Sequence, residues 1–477
     1  MPSSNLASVP LLTQADFERE ALDTLLTFAT IPCLSPQFDA QWREHGHLDR
    51  AVELLADWAR QRRLNDFCVA IHQLEGRTPV LTVTVEATGP GGGTAVLYGH
   101  LDKQPPLGQW SEGLDPFRPV RRGERVYARG VADDGYALFS ALLALEAMEA
   151  SNISHRRCVV LIEASEESGS PDLEAHLDAL ATHLGAVDLM VCLDSGALTY
   201  DRLWVTTSLR GILNVEVTVQ VLTRAQHSGS ASGVVPSSFR ILRQLLDRVE
   251  DAATGDILLE ELRADIPDEH VRAAAAMAEE FGDVIARELP GVEGLHFMGA
   301  SPQEQILRRN WYPTLSVVGM GGIPEPSIAG NVLRTGTTAT LSFRLPPPVN
   351  ADDAARAVFR ALTTDVPSSA HVTVTMIPAN GWVAPPLAPW LETALELASQ
   401  ESFGRGPAFT GEGGSIPFLS SLAHRYPDVQ FVATGVLGPN SNAHGIDEML
   451  DLPMAVGVTN AVITVLAAHA ANGEASR

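Results

Sequence analysis

Over its first 205 residues the chain alternates short apolar, β-rich runs with helical patterns, and this alternation is the strongest constraint on its fold. Val80 to Val85, Thr94 to Tyr98, Arg157 to Ile162 and Ala186 to Leu193 read as buried strands. Tyr136 to Ala150 and Pro171 to Leu184 read as helices between them. Parallel strands need a crossover long enough for a helix, so the pattern predicts an α/β fold with a mostly parallel sheet covered on both faces. Thr88-Gly-Pro-Gly-Gly-Gly93 separates the first two runs as a hairpin or loop; it lacks the Lys-Ser/Thr and the helix that a phosphate cradle needs. The second helix has a start signal, with Ser170 as N-cap, Pro171 at its first position and Asp172 in its first turn.

From about Ser208 the pattern changes. Ile212 to Leu222 sets Val215, Val217, Val219 and Val221 against Asn214, Glu216, Thr218 and Gln220, the alternation of a half-exposed antiparallel strand. Thr337 to Leu345 and His371 to Ile377 look similar, with helical stretches at Ser237 to Asp251 and Pro267 to Glu288. After Asn380-Gly381 the α/β pattern resumes with a helix from Ala388 to Ser402, a strand near Val429 to Thr434 and a helix from Pro453 to Ala471. The expected organisation is a discontinuous catalytic domain, 1–207 and 381–477, interrupted by an α+β domain at 208–380.

With 33 basic and 58 acidic residues, a net charge of −25 argues against nucleic acid or an anionic membrane as partner. Met1 to Gln14 has neither the basic region nor the apolar run of a signal peptide, and no later segment reads as a transmembrane helix. Cys33, Cys68, Cys158 and Cys192 are widely spaced, which suggests thiols in a reducing compartment; a cytoplasmic protein is expected.

Five turns bearing acids or histidines follow predicted strands: Tyr98-Gly-His-Leu-Asp102, Gly130-Val-Ala-Asp-Asp-Gly135, Glu163-Ala-Ser-Glu-Glu-Ser-Gly169, Leu193-Asp-Ser-Gly196 and Asn440-Ser-Asn-Ala-His-Gly445. In open α/β sheets, sites form outside the carboxyl ends of strands, so these turns are expected to meet in one crevice. Singly, each has a structural explanation: a buried His–Asp pair, a helix N-cap, a solvated acidic turn. Jointly they do not, because clustered carboxylates repel unless cations neutralise them. Two histidines with three or four carboxylates and no thiolate suit paired divalent ions such as Zn²⁺, Mn²⁺ or Co²⁺. His100 and Asp102, two apart in an extended segment, point the same way, so Asp102 is expected to orient the His100 ring.

These turns, in this order, resemble the zinc-dependent exopeptidases of metallopeptidase family twenty, and the resemblance runs from the Gly99 turn to His444. It implies a zinc-exopeptidase-like catalytic domain with an inserted lid and dimerisation domain. It also implies that His100 and Asp194 hold one metal, Glu167 and His444 the other, and that Asp133 bridges both. Glu166 is then the general base, and the peptide between Asp133 and Asp134 is expected to be cis. In the lid, His227 resembles the histidine that reaches a partner subunit's active site to stabilise the oxyanion, and Arg344 the arginine that grips the substrate carboxylate. Asn331 and the turn holding Gly414 and Ser415 resemble further substrate contacts. Ser230-Ala-Ser232 and Arg334 depart from the family pattern in the lid. The resemblance implies a homodimeric metallo-dipeptidase acting on small peptides. Asp194 in place of the Glu of deacylase relatives, and the long lid around Asp251 to Gly299, favour it over an N-acyl-amino-acid deacylase or carboxypeptidase on the same scaffold.

Overall fold

The computed structural model describes residues 11–89, 91–414 and 417–475. They form two compact units. One comprises the residues up to Thr207 with Ala384–Thr410 and the chain from Ser421; the other comprises Ser208–Val383 and Gly411–Ser420. The short Gly411–Ser420 segment thus packs with the interrupting unit, although in sequence it lies within the returning α/β part.

The sheet of the first unit runs in the order Phe67–His72, Val80–Val85, Arg157–Glu163, Thr94–His100, Val187–Cys192, Gln430–Ala433, Trp204–Leu209. Its four central strands, from Arg157–Glu163 to Gln430–Ala433, are parallel, and the pairs outside them are antiparallel. Val80–Val85 and Thr94–His100 are buried along their whole length, which explains their near-continuous apolar sequences. They do not form a hairpin: Arg157–Glu163 lies between them and pairs with both.

The helix Ala137–Ala150 is apolar on all sides because nearly every residue in it is buried. Its one acid inside that core, Glu146, accepts the Arg63 N–H at 2.7 Å and faces the Arg62 and Arg63 guanidinium groups. The helix Leu452–Ala475 packs against it, with Thr459 Oγ1 3.0 Å from Ser140 Oγ. The Leu452–Asn472 stretch is, against the sequence expectation, long and apolar enough to cross a membrane. However, 94% of its apolar window is buried inside the protein, as in a core helix. The helix Leu173–Leu184 starts later than its sequence suggests. Ser170 is not its cap: it has φ 53° and its hydroxyl donates to Glu163, while Asp172 occupies the N-cap and binds Thr78 and Arg77.

In the second unit four antiparallel strands lie in the order Thr314–Gly321, Gly336–Leu345, Gly211–Gln220, His371–Ala379. Alternation in Gly211–Gln220 turns Leu213, Val215, Val217 and Val219 inward, against Leu341 and Phe343 of the neighbouring strand and Leu242 and Val358 of covering helices. Each such side chain contributes about 1.5–3 kcal/mol on burial. The stretch expected to be helical from Pro267 to Glu288 is two helices, Asp268–Phe281 and Val284–Glu288, broken at Gly282 with φ 61°.

Candidate metal centre

Four of the acid-bearing segments lie at the carboxyl ends of neighbouring parallel strands. His100 closes Thr94–His100 and is in register with Glu163, which closes Arg157–Glu163. Glu166 and Glu167 sit in the 3₁₀ turn Glu166–Ser168, Asp194 follows Val187–Cys192, and Asp133 precedes the helix Ala137–Ala150 through a cis peptide to Asp134. His444 comes from the loop beyond Gln430–Ala433. Parallel register brings these ends to one edge of the sheet.

There they form two groups, His100–Asp133–Asp194 and Asp133–Glu167–His444, each with its donor atoms within 4.8 Å of one another. His100 Nε2 lies 3.1 Å from Asp133 Oδ1 and 3.8 Å from Asp194 Oδ2. His444 Nε2 lies 3.0 Å from Asp133 Oδ2 and 3.1 Å from Glu167 Oε2. Asp133 therefore offers one oxygen to each group.

The electrostatics fit divalent cations. Burial, reinforced by Asp133 and Glu167 and opposed by His100, pushes the Asp194 carboxyl up to about 7. Burial and Asp194 raise Glu166 well above the carboxylate range, and burial and Asp133 raise Glu167. Against the opposing effect of burial, the carboxylates of Asp133 and Glu167 drive the His444 imidazole up to about 11, and Asp102 and Asp133 raise His100. Buried Asp133 and Asp194 and half-buried Glu166 and Glu167 crowd around buried His100 and exposed His444, with more acids than rings to neutralise them, and oxygen and nitrogen donors without thiolate suit Zn²⁺, Mn²⁺ or Co²⁺.

Asp102 faces both the His100 ring and the glutamate turn. His100 Nδ1 is 3.0 Å from the Asp102 backbone carbonyl and 3.6 Å from its carboxylate. The carboxylate also accepts the backbone N–H groups of Glu166 and Glu167, both at 3.1 Å. Although the strand ends at His100, the Asp102 carboxylate stays on the side of the ring, at ion-pair distance from Nδ1. Asp102 thus orients the ring through its backbone carbonyl and faces it with its carboxylate.

Two neighbours, Gln104 and Glu163, have contacts at the site but no role assigned from the sequence. Gln104 Nε2 donates to Glu167 Oε2 at 2.7 Å. Buried Glu163 accepts the Tyr98 hydroxyl at 2.6 Å and the Ser170 hydroxyl at 2.8 Å beneath the Glu166 turn. Both lie in or beside the quoted motifs, which was the available signal; their partners come from elsewhere in the chain.

The remaining residues belong to the second unit. His227 is exposed, accepts the Gly229 N–H at Nδ1 (3.1 Å) and pairs with Val332, while the Ser228 N–H donates to the Asn331 carbonyl at 3.0 Å. His227 and Asn331 are thus neighbours. Arg344 is half-buried on Gly336–Leu345, opposite Ile212 and Thr314, and burial lowers its pKa. Gly414 is exposed, and the adjoining Gly413 carbonyl accepts Arg210 Nε at 3.2 Å. Ser415 lies outside the described residues.

Two oxygen- and nitrogen-donor groups sharing one carboxylate, at the carboxyl ends of an open α/β sheet, have the donor chemistry of a candidate site for divalent ions. The chain belongs to peptidase family M20/M25/M40, whose profile matches residues 96–469. A cysteinylglycine-S-conjugate dipeptidase of Corynebacterium striatum is 27% identical over 372 residues, 75% of this chain and 77% of that protein. A Cys-Gly metallodipeptidase of Saccharomyces cerevisiae is 27% identical over 391 residues, 80% of each. Human carnosine dipeptidase 1 is similar in fold, with TM-score 0.76 at 23% identity over 96% of this chain and 100% of that one.

Proposed function

We propose that this protein is a metallo-dipeptidase that hydrolyses the peptide bond of dipeptides or other short peptides with two divalent ions per subunit, Zn²⁺ or Mn²⁺, with Co²⁺ also compatible. The observation that carries this reading is Asp133, with one oxygen toward His100 and the other toward His444, in a chain of this peptidase family. His100, Asp133 and Asp194 would hold one ion, and Asp133, Glu167 and His444 the other. Bound there, the ions would supply Lewis-acid polarisation of the scissile carbonyl and a lowered pKa for the attacking water.

Glu166 takes the proton of that water and passes it to the leaving amine, a role helped by the burial that raises its basicity. Asp102 fixes the direction of both glutamates through their backbone N–H groups. Following the family resemblance, Arg344 takes the substrate's carboxylate, with Asn331, Gly414 and Ser415 as further polar contacts. His227 supports the oxyanion in the other subunit of a homodimer built through the 208–380 domain. An edge strand, Thr314–Gly321, exposing Val317, Val318 and Met320, supports that dimer. The four free cysteines support a cytoplasmic setting, and the charge of −25 supports a small peptide over nucleic acid or membrane as partner.

Exhaustive chelation is expected to abolish hydrolysis of Cys-Gly, β-Ala-His and alanyl dipeptides, and Mn²⁺ or Zn²⁺ to restore it. Turnover that survives chelation overturns the proposal. Faster turnover of N-acyl amino acids than of free dipeptides would reassign the substrate class.

A further inference from the structure

Glu448 lies four residues beyond His444 and is 0% exposed. Its Oε1 accepts the N–H groups of Gly130 (3.0 Å), Ala132 (3.1 Å) and Asp133 (3.3 Å). Its Oε2 accepts Arg129 Nη1 at 2.8 Å and the Gly130 N–H at 3.0 Å. The other terminal nitrogen of Arg129 donates to the carbonyl of Gly445, next to His444. One buried ion pair therefore grips both the backbone that presents Asp133 and the loop that presents His444.

The loop itself is irregular. Asn440, Asn442, His444 and Asp447 have φ of 63°, 51°, 63° and 60°, a left-handed conformation that is uncommon for non-glycine residues but that Asn, Asp and His adopt most readily. The Met449 N–H donates to the Ser441 carbonyl at 2.9 Å, and Ser111 binds the Asp447 carboxylate through its N–H at 2.9 Å and its hydroxyl. Of the ties named here, only those of Arg129 and Glu448 join the loop to the Gly130–Asp133 backbone.

We propose that Glu448 is a positioning residue which, with Arg129, sets the spacing between Asp133 and His444 and so the affinity of the ion they share with Glu167. The proposal rests on the dinuclear reading above. His100 and Asp194 receive no contact from the pair, so their ion depends on it only through Asp133. Loss of Glu448 is therefore expected to act unequally on the two ions.

The test is a Co²⁺ titration of the purified full chain, following stoichiometry and the visible absorption of each ion, beside thermal melting of the metal-free protein. Wild type is expected to bind two ions; fewer than two would overturn the dinuclear reading itself. In Glu448→Gln the amide places an NH₂ group against backbone N–H donors. One ion should then bind about ten- to a hundred-fold more weakly with an altered spectrum, the other nearly as in wild type. Arg129→Lys keeps both charges but drops the bond to Gly445; it should weaken the same ion less and covers the case in which Glu448→Gln does not fold. Wild-type affinity for both ions in a folded variant overturns the proposal. Equal loss of both ions in step with a lower melting temperature also overturns it, since that marks a purely structural pair.

Discussion

The Asp102 carboxylate is turned to the backbone of Glu167, whose N–H it accepts at 3.1 Å, and its second oxygen takes the N–H of Glu166 at the same distance. A single ionised side chain thus orients a proposed metal ligand and a proposed base that are adjacent in sequence. Asp102→Asn keeps one acceptor and puts an NH₂ group against the second N–H. Turnover is expected to fall about ten- to a hundred-fold. Metal content should stay at the wild-type value, because the His100 ring still meets the Asp102 backbone carbonyl. Metal analysis and steady-state kinetics on one preparation check this; loss of an ion would show that the carboxylate holds His100 after all.

Glu166 and Glu167 have distinct contacts despite being neighbours. Glu167 lies 3.1 Å from His444 and is bonded to Gln104, whereas Glu166 senses chiefly Asp194 and its own burial. Glu166→Gln is expected to keep both ions while kcat falls about 10²- to 10⁴-fold, the range for a lost general base. Glu167→Gln is expected to lose an ion as well as activity. Metal content of the two variants distinguishes the roles, and the reverse pattern would exchange them.

Much of this centre was legible because strand ends are local features. The apolar run up to Tyr98 stops at a glycine, and the histidine and acid that follow fall where an α/β sheet builds sites. What was not legible depended on distant chain. Thr94–His100 and Val80–Val85 are separated by a strand 57 residues or more beyond them, which no local pattern near Gly93 records. Ser170 has the chemistry of an N-cap, but Glu163 takes its hydroxyl. Gly282 reads as one weak position in a long helix; its left-handed φ makes it a break. The spacing of His100 and Asp102 placed the carboxylate beside the ring, but not its bonds to the Glu166 and Glu167 N–H groups, which come from a turn 64 and 65 residues away.

Glu163 predicts a pH dependence of stability. Burial pushes its carboxyl from the ordinary 4.5 up to about 7, against the opposing hydrogen bond from Tyr98. A folded pKa above the unfolded one means that the native state binds the proton more tightly. The stabilisation is complete below about pH 4.5 and is lost as pH rises through about 7. Glu163→Gln stays neutral throughout. In metal-free protein its stability relative to wild type should rise across that window, by at most about 3 kcal/mol, and level off above it. Melting curves of both proteins at pH 5, 6, 7 and 8 check this, and parallel curves would remove the assignment.

Arg344 tests whether the substrate's free carboxylate is read. On Gly336–Leu345, alternation sends Ala339, Leu341, Phe343 and Leu345 into the core and leaves Arg344 on the other face, where partial burial lowers the pKa of its guanidinium. A planar fork of this kind binds a carboxylate through two parallel bonds, which an ammonium group cannot reproduce. Arg344→Lys is therefore expected to raise KM for a free dipeptide about ten-fold or more, a loss of one charge-assisted hydrogen bond, with a smaller change in kcat. The C-terminally amidated dipeptide lacks the carboxylate, so wild type and variant should treat it alike. If Arg344→Lys weakens the amide and the free acid by the same factor, Arg344 supports the strand rather than the substrate.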